Sequence, residues 1–286
     1  MQRRFKQVDV FTAEPLRGNP LAVVLDSAGL DAAAMQRFTD WTNLSEATFL
    51  GPPKSAEADY SVRIFCPGRE LPFAGHPTLG SCHAWLEAGG KPRSEYIVQE
   101  CGAGLVRIRR DGSRLAFAAP PLKTTGPLDE SEVAVIARGL GVARTDIVAH
   151  AWCDNGPNWR GVMLKSADQV LALKPDGQVL AGLDVGVVGP RGKVGVVAAR
   201  EAGEETQFEV RAFFPGNNGM AEDPVTGSLN AALAQWLIGA GYAPPRYVAA
   251  QGTALGRAGR VFVEQVGNDI WIGGGSVTVI DGTAQL

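Results

Sequence analysis

Short runs of alternating apolar and polar residues dominate the first part of the chain, and this alternation is typical of strands with one buried face. The runs predict strands at 7–11, 22–25, 47–50, 61–65, 96–99, 104–109 and 115–118. The last two are separated by Asp111-Gly112, a pair that favours a tight hairpin turn. The pattern therefore predicts a chain built mainly from short, neighbouring strands.

Helical periodicity is weaker and falls into two kinds. A polar helix is predicted near 32–42, whereas the segments 79–88 and 229–238 are strongly apolar and rich in Ala and Gly. Gly89-Gly90 provides the end signal of the first apolar helix. Because one such helix occurs in each half of the chain, we expect each to be wrapped by a strongly curved, mostly antiparallel sheet.

An internal repeat relates the two halves. Arg-Ile-Phe-Cys-Pro-Gly at 63–68 and Arg-Ala-Phe-Phe-Pro-Gly at 211–216 share four of six residues at a shift of 148 positions. The same shift carries Gly75 onto Asp223 and Thr78 onto Thr226 without a gap. Weaker similarities follow in the same order along both halves, so the sequence indicates a duplication.

The predicted architecture is therefore α+β, with two pseudo-symmetric lobes, each a curved, barrel-like and mostly antiparallel sheet around a central helix. Pro120-Pro121 and the turn-rich stretch 124–127 form the natural linker. We expect an N-terminal lobe at 1–120, completed by a C-terminal strand at 277–286, and a C-terminal lobe at 121–276. A length of 286 residues suits two domains.

Composition narrows the function classes. The net charge of −3 offers no long-range attraction to nucleic acid or to an anionic membrane. No segment approaches the roughly 20 apolar residues of a membrane span, and the N-terminus lacks the apolar core of a secretory signal. We expect a cytoplasmic protein whose four cysteines, Cys66, Cys82, Cys101 and Cys153, are free thiols.

Hydroxyl residues stand at the entries to both apolar helices. Thr78 and Ser228 are predicted as helix N-caps, which leave backbone N–H groups able to bind a carboxylate or a phosphate. Simple capping without any ligand is the alternative for either residue alone. If the halves face each other, both helix starts open into one cleft.

Three ionisable residues could do chemistry beside these caps. His76 lies in a Gly-His-Pro turn, where a histidine can hold or relay a proton near neutral pH, and Asp223 occupies the matching place in the other half. Glu46 precedes an apolar strand and suits a general acid or base. A solvated loop residue is the alternative for His76 and Asp223, and a first-turn or surface glutamate is the alternative for Glu46.

Other chemistries have little support in the sequence. The three histidines are scattered and the cysteines lack metal-site spacing, so no metal is expected. No P-loop, dinucleotide fingerprint or nucleophile elbow is present in the sequence. The run Gly273-Gly274-Gly275 is interpreted as a bend between late strands. A proton-transfer site without a cofactor fits what remains.

At several motifs the chain resembles the PhzF family, whose fold is that of diaminopimelate epimerase. The matching motifs are Val8-Asp9-Val10-Phe11, Gly18-Asn19-Pro20, Leu44-Ser45-Glu46-Ala47-Thr48-Phe49, Glu70-Leu71-Pro72-Phe73-Ala74-Gly75-His76-Pro77-Thr78-Leu79-Gly80, Glu222-Asp223-Pro224-Val225-Thr226-Gly227-Ser228, Gln251-Gly252 with Gly256-Arg257, and Gly273-Gly274 to Gly282. They span nearly the whole chain.

The resemblance implies a site in a cleft between two alike lobes. In the family's terms Glu46 is the general acid/base, and His76 with Asp223 orients the substrate and assists proton movement. Ser228 and the amides near Gly227 hold the substrate carboxylate. Substrate binding by Asn19, Gly75 and Thr78 is also expected from these motifs. The resemblance further implies a small carboxylate substrate, no metal or organic cofactor, and a homodimer.

The resemblance also separates two reaction types. Amino-acid epimerases of this fold use one cysteine per half, at positions that correspond to Gly75 and Asp223 here, so a two-thiol racemase is disfavoured. Cys66 stands where the family usually has threonine and is not interpreted as a displaced catalytic thiol. An epimerase or lyase using the same cleft, and a metabolite-binding protein without turnover, remain alternatives. The substrate does not follow from the sequence.

Overall fold

The structure is a computed structural model that describes residues 1–192, 205–216 and 219–286. These residues form seventeen strands and five helices, in the order β1 Gln2–Val10, β2 Asn19–Val24, α1 Ala32–Thr42, β3 Ala47–Gly51, β4 Tyr60–Cys66, β5 Arg69–Leu71, α2 Gly75–Glu87, β6 Ile97–Cys101, β7 Gly104–Asp111, β8 Arg114–Ala118, α3 Glu130–Leu140, β9 Ile147–Asp154, β10 Asn158–Leu164, α4 Ala167–Ala172, β11 Asp184–Pro190, β12 Phe208–Gly216, β13 Gly219–Asp223, α5 Gly227–Gly239, β14 Arg246–Gln251, β15 Gly259–Val266, β16 Asp269–Gly274 and β17 Ser276–Gln285.

Contacts divide the chain into two compact units. Unit 1 comprises Met1–Ala118 together with Gly273–Leu286, and unit 2 comprises Ala119–Ile272. The C-terminal strand β17 belongs to unit 1 because it pairs antiparallel with β1 along almost its full length. Of the helices in the described ranges, none has the length and apolar character needed to cross a bilayer.

Unit 1 is a mixed, mainly antiparallel sheet around α2. Successive pairs run β1–β2 antiparallel, β2–β3 parallel, β3–β4 antiparallel, β4–β6 parallel, and β6–β7 and β7–β8 antiparallel. The short strand β5 forms a hairpin with β4. Helix α2 contacts strands from both ends of this series, including β1, β2, β8 and β17. The helix is thus the centre of unit 1.

Unit 2 repeats the same connections. The pairs are β9–β10 antiparallel, β10–β11 parallel, β11–β12 antiparallel, β12–β14 parallel and β14–β15 antiparallel, with β13 as a hairpin on β12. Because five successive pairings agree in direction with those of unit 1, the duplication inferred from sequence is confirmed. The α+β class with two alike lobes is likewise confirmed, and the sheet remains open along the described strands.

Each unit buries its own apolar core. In unit 1, α1 packs on the sheet through Met35 against Phe49 and Phe65, whose rings meet edge to face with centroids 5.6 Å apart. In unit 2, α3 and α4 cover β9, β10 and β11 with Val133, Ile136 and other aliphatic side chains. Helix α5 is buried along most of its length, as its apolar composition predicts.

Several helices differ from their predicted bounds. Helix α1 lies where the polar pattern placed it, but α2 begins at Gly75 and α5 at Gly227, earlier than the predicted 79 and 229. Helix α3 was not predicted, although an apolar period follows Asp129 at its N-cap and the left-handed Gly141 ends it. The turn-rich linker before it suggested an irregular segment.

The structure also corrects the register of the repeat. Strand β4 corresponds to β12 at the shift of 148, but the first residues of α2 and α5, Gly75 and Gly227, are 152 positions apart. The four extra residues belong to the β12–β13 hairpin, because Ile64 pairs with Leu71 in unit 1 and Ala212 pairs with Asp223 in unit 2. In helix position, His76 therefore corresponds to Ser228, and the expected match of Gly75 with Asp223 is displaced by four residues.

In unit 1 the backbone of the glycine run before β17 lies very close to the residues that follow β1. A Cβ atom on Gly274 would lie 2.4 Å from the ring of Phe11, and one on Gly275 would lie 2.6 Å from the carbonyl oxygen of Thr12. Phe11 itself is fully buried with a φ of 64°. Only glycine fits beside this left-handed residue, so the glycine run has a steric cause, and the bend between β16 and β17 stays a prediction.

Candidate functional site

The first turn of α2 places His76. Ala74 is the N-cap in extended conformation, Gly75 is the first helical residue, and Pro77 is tolerated because N–H groups of the first turn have no intrahelical partner. His76 is buried, with 3% of its surface exposed. A Gly-His-Pro sequence that suggested a turn is therefore the beginning of a buried helix.

Asn19 reaches this helix from the start of β2. The buried Asp9 carboxylate accepts hydrogen bonds from the backbone N–H groups of Arg17 and Gly18, at 2.8 and 2.9 Å. A Cβ atom on Gly18 would lie 2.2 Å from the carbonyl oxygen of Val10, so only glycine can hold this approach. The loop end that precedes Asn19 is therefore fixed by a carboxylate and by a glycine.

His76 lies between Asn19 and Glu46. Asn19 Nδ2 is 3.3 Å from His76 Nδ1, and His76 Nε2 is 3.4 Å from Glu46 Oε2. With the Asn19 amide nitrogen as donor, Nδ1 is the acceptor and the proton of a neutral ring lies on Nε2. This ring nitrogen faces Glu46 Oε2, without a hydrogen bond between the two atoms.

The protonation of His76 differs from the sequence expectation. Burial lowers the pKa of His76 to about 3. At neutral pH the ring is therefore uncharged, which differs from a histidine that holds a proton near neutral pH, while the relay of a proton by His76 stays a prediction. A neutral imidazole can still donate its Nε2–H to a carboxylate or to a ligand.

Glu46 lies immediately before β3, and its carboxylate is mostly buried, with 16% of the side chain exposed. The Cys66 thiol at the end of β4 is close enough for the Glu46 charge to help raise its pKa, although burial is the larger cause. Burial likewise raises the pKa of Cys82 and Cys153 to about 12. All four cysteines are free thiols, as predicted, and none of these three is held as a thiolate.

Thr78 does not cap α2. It lies in the first turn of the helix, fully buried, and its hydroxyl donates to the carbonyl oxygen of Ala74 at 2.9 Å. The hydroxyl accepts in turn from Gln99 Nε2 on β6, at 3.1 Å. The predicted N-cap is wrong because the helix begins at Gly75, directly after the extended Ala74, so that Thr78 is already its fourth residue.

Asp223 ends β13 in unit 2 and is buried. Its Oδ2 accepts a short hydrogen bond of 2.6 Å from Thr226 Oγ1, and Thr226 is the N-cap residue of α5. The hydroxyl of this cap thus binds the Asp223 carboxylate and makes no side-chain capping bond to the helix. Gly227, the first helical residue, follows directly.

Ser228 is the second residue of α5, so its predicted role as N-cap is also wrong. Its Oγ accepts from Trp159 Nε1 at 3.1 Å, and its carbonyl oxygen accepts from Asn155 Nδ2 at 2.9 Å. Both partners come from the β9–β10 hairpin and are largely buried. Sequence reasoning missed them because an indole and a loop amide carry no motif of their own.

The predicted site residues thus form one group in each unit. Asn19, Glu46 and His76 converge in unit 1, where Gly75 lies beside His76 in the chain, whereas Thr78 bonds within the helix. Asp223, Gly227 and Ser228 lie within one short segment at the start of α5 in unit 2. Within the described ranges, no three His, Cys, Asp or Glu side chains converge as metal ligands would. The expected absence of a cofactor stays a prediction.

Comparison with known proteins identifies relatives along the whole chain. A model of the PhzC-PhzF family, described as "Phenazine biosynthesis-like protein", matches residues 8–282. The Schizosaccharomyces pombe protein named Antisense-enhancing sequence 1 is 37% identical, with 100% of this chain and 99% of that protein covered. The trans-2,3-dihydro-3-hydroxyanthranilate isomerase of Pseudomonas fluorescens is 32% identical, with 98% of both chains covered.

Solved structures give the same result for the fold. The crystal structure of a PhzF-family phenazine biosynthesis protein from Enterococcus faecalis superposes with a TM-score of 0.79 at 26% identity, covering 100% of both chains. The resemblance stated from the sequence motifs is therefore confirmed over the full length.

Proposed function

This chain belongs to the PhzC-PhzF family of phenazine biosynthesis-like proteins, and we propose that it is an isomerase that moves a proton between two carbons of a small carboxylate. In this proposal Glu46 removes a proton from one carbon and returns a proton to another. The reaction is neutral in redox terms, since one C–H bond is broken, one is formed and the double bond shifts. No metal or organic cofactor takes part.

The observation that carries the proposal is the convergence of Glu46 and His76. A carboxylate that is 84% buried lies 3.4 Å from an imidazole nitrogen of a ring that burial keeps neutral. A neutral imidazole N–H can stabilise negative charge without competing with Glu46 for the proton in transit. A hydrogen bond from Asn19 Nδ2 to His76 Nδ1 favours the tautomer that this role needs.

The start of α5 would supply substrate binding. The first N–H groups of a helix have no intrahelical partner and favour a carboxylate. In this proposal the amides near Gly227 and the hydroxyl of Ser228 hold the substrate carboxylate, and Asp223 orients a polar group of the substrate. Trp159, which donates to Ser228 Oγ, leaves the Ser228 hydroxyl proton for such a contact.

The named relative supplies the first substrate to test. Trans-2,3-dihydro-3-hydroxyanthranilate, on which the Pseudomonas fluorescens relative acts by name, carries a carboxylate, an amino group and a hydroxyl group on a small ring. We propose that this chain acts on a carboxylate of the same size and polarity. A homodimer is part of the proposal and is checked by light scattering of the purified protein.

The direct test is product analysis. The purified chain is incubated with trans-2,3-dihydro-3-hydroxyanthranilate and, separately, with a panel of small amino and hydroxy carboxylates, and products are identified by mass and NMR. Isomerisation yields a product of unchanged mass with a displaced double bond. Loss of water would indicate a lyase, inversion at one carbon an epimerase, and binding without conversion across the panel would contradict the enzyme proposal.

A further inference from the structure

A closed hydrogen-bond network surrounds Asp223 in unit 2. Gln251, at the end of β14, is fully buried, and so is most of Asn230 in α5. Gln251 Nε2 donates to the carbonyl oxygen of Asp223 at 3.1 Å and to Thr226 Oγ1 at 2.9 Å. Gln251 Oε1 accepts from Thr226 N at 3.0 Å and from Asn230 Nδ2 at 2.8 Å.

Two of these partners fix the direction of every bond. The carbonyl of Asp223 can only accept and the N–H of Thr226 can only donate, so the Gln251 amide has one orientation. In that orientation Gln251 Nε2 donates to the Thr226 hydroxyl, and the hydroxyl proton is directed to another acceptor. That acceptor is Asp223 Oδ2, only 2.6 Å away. A bond this short is typical of a hydroxyl that donates to an ionised carboxylate.

We propose that Thr226 and Gln251 are positioning residues that hold the Asp223 carboxylate in one orientation for the reaction. This inference rests on the role that the proposed function gives Asp223. The bonds described above all join groups of the protein itself, so they orient the carboxylate without help from a substrate. Such preorganisation favours the chemical step over binding.

Unit 1 contains the same pair of residue types with a different outcome. Gln99 Nε2 donates to Thr78 Oγ1, but the Thr78 hydroxyl then donates to the backbone carbonyl of Ala74. If the threonine hydroxyl served only to hold the helix in place, a backbone carbonyl would be a sufficient acceptor for it, as in unit 1. In unit 2 the hydroxyl is directed at a carboxylate instead, which is the feature that a positioning role requires.

The test compares Thr226→Val, which removes the hydroxyl at constant shape, with Thr226→Ser, which keeps it. We expect Thr226→Val to lower kcat about tenfold or more with KM little changed, because a hydrogen bond to a charged group is lost. Thr226→Ser should restore most of kcat. A matched control is Thr39→Val in α1, where a buried hydroxyl donates only to the carbonyl of Met35, and which should cost stability without a change in kcat.

A double-mutant cycle separates this inference from the proposed function. In an Asp223→Asn background, Thr226→Val should have little further effect on kcat, since it acts through the carboxylate. Full activity of Asp223→Asn would overturn the role that the proposed function gives Asp223. If Asp223→Asn lowered kcat while Thr226→Val kept the wild-type kcat, only the positioning role of Thr226 would be overturned. Crystal structures give a readout without turnover: the Asp223 side chain should leave its position in Thr226→Val and keep it in Thr226→Ser, and an unmoved side chain in both would contradict the inference.

Discussion

The starts of the two central helices share a scaffold and differ in chemistry. Each has a Thr–Gln hydrogen bond, Thr78 with Gln99 and Thr226 with Gln251. The second helical residue, however, is His76 in α2 and Ser228 in α5. The two units thus share a bond between a threonine near the helix start and a buried glutamine, made from different helix positions, and they differ in the side chains of the first helical turn. In the proposed function, unit 1 therefore supplies the proton chemistry, and unit 2 supplies hydroxyl and carboxylate groups for holding the ligand.

The largest expected effect comes from Glu46, which lies directly before β3. Glu46→Gln keeps the size of the side chain and removes its ability to carry a proton. We expect kcat to fall about 10²–10⁴-fold. Substrate binding, measured by calorimetry, and the unfolding midpoint should change little. A variant with wild-type kcat would remove Glu46 from the mechanism.

The two units also differ in where they place the glycine that lets the central helix approach the sheet. In unit 1 it is Gly80 on α2, where a Cβ atom would lie 2.6 Å from Leu21, and in unit 2 it is Gly186 on β11, where a Cβ atom would lie 2.3 Å from Leu229. We expect Gly80→Ala and Gly186→Ala each to destabilise the protein by about 1–3 kcal/mol through overpacking.

Urea unfolding measures these changes, with Gly239→Ala in α5 as the control. No atom lies within 4 Å of a Cβ atom built there, so this variant should be unchanged or up to about 1 kcal/mol more stable. If Gly80→Ala or Gly186→Ala were as stable as Gly239→Ala, the close helix–sheet approach would be wrong.

The buried His76 should make the stability of the protein depend on pH. Its counterpart Ser228 does not titrate and cannot produce this effect. Burial lowers the pKa of folded His76 to about 3, while the unfolded residue titrates near about 6.5. The unfolded chain therefore binds the proton first. Stability from the buried neutral ring is complete above pH 6.5 and decreases as the pH falls toward 3, by about 1.4 kcal/mol per pH unit.

At pH 5 this effect amounts to about 2 kcal/mol relative to pH 7. His76→Asn retains an acceptor for Asn19 and cannot titrate, so its free energy of unfolding should depend less steeply on pH over this range. Urea titrations at pH 7, 6 and 5 measure the difference between the two proteins, and other groups such as His83 contribute equally to both. If the free energies of unfolding of wild type and variant depended on pH in the same way, the lowered pKa of folded His76 would be contradicted.

Ser228 should produce the smallest of these effects, and it should appear in binding. Ser228→Ala removes the hydroxyl that accepts from Trp159 and that would contact the substrate carboxylate. We expect KM to rise about tenfold, equivalent to about 1.4 kcal/mol, with a smaller change in kcat. Ser228→Thr, which keeps the hydroxyl, is the matched variant. A fall in kcat at constant KM would instead indicate a role in the chemical step.

Much of the fold was predictable because it depends on local pattern. Helix α1 and the strands around Ala47–Gly51 and Tyr60–Cys66 follow from periodicity, and the duplication follows from one hexapeptide and its repeat. Helix starts were less predictable. The N-cap of α2 is Ala74, whose side chain makes no capping bond, so the sequence carried no N-cap signal at the true start and suggested Thr78 instead.

The site was predictable only where a motif named its residues. Glu46, His76, Asp223 and Gln251 lie in recognisable segments, although no role was assigned to Gln251, whereas Asn155 and Trp159 reach the start of α5 from the β9–β10 hairpin. Their positions depend on sheet pairing that no local pattern encodes. The neutral state of His76 was also beyond the sequence, because it results from complete burial.

The central claim is that Glu46 carries the proton, and hydrogen exchange in D₂O tests it most directly. Wild type and Glu46→Gln are incubated side by side with trans-2,3-dihydro-3-hydroxyanthranilate, or with a carboxylate that the wild type converts, and deuterium in substrate and product is followed by NMR. The account predicts isomerisation with deuterium entering at the reacting carbons for the wild type, and neither exchange nor isomerisation for Glu46→Gln. Exchange at the wild-type rate in Glu46→Gln would contradict it.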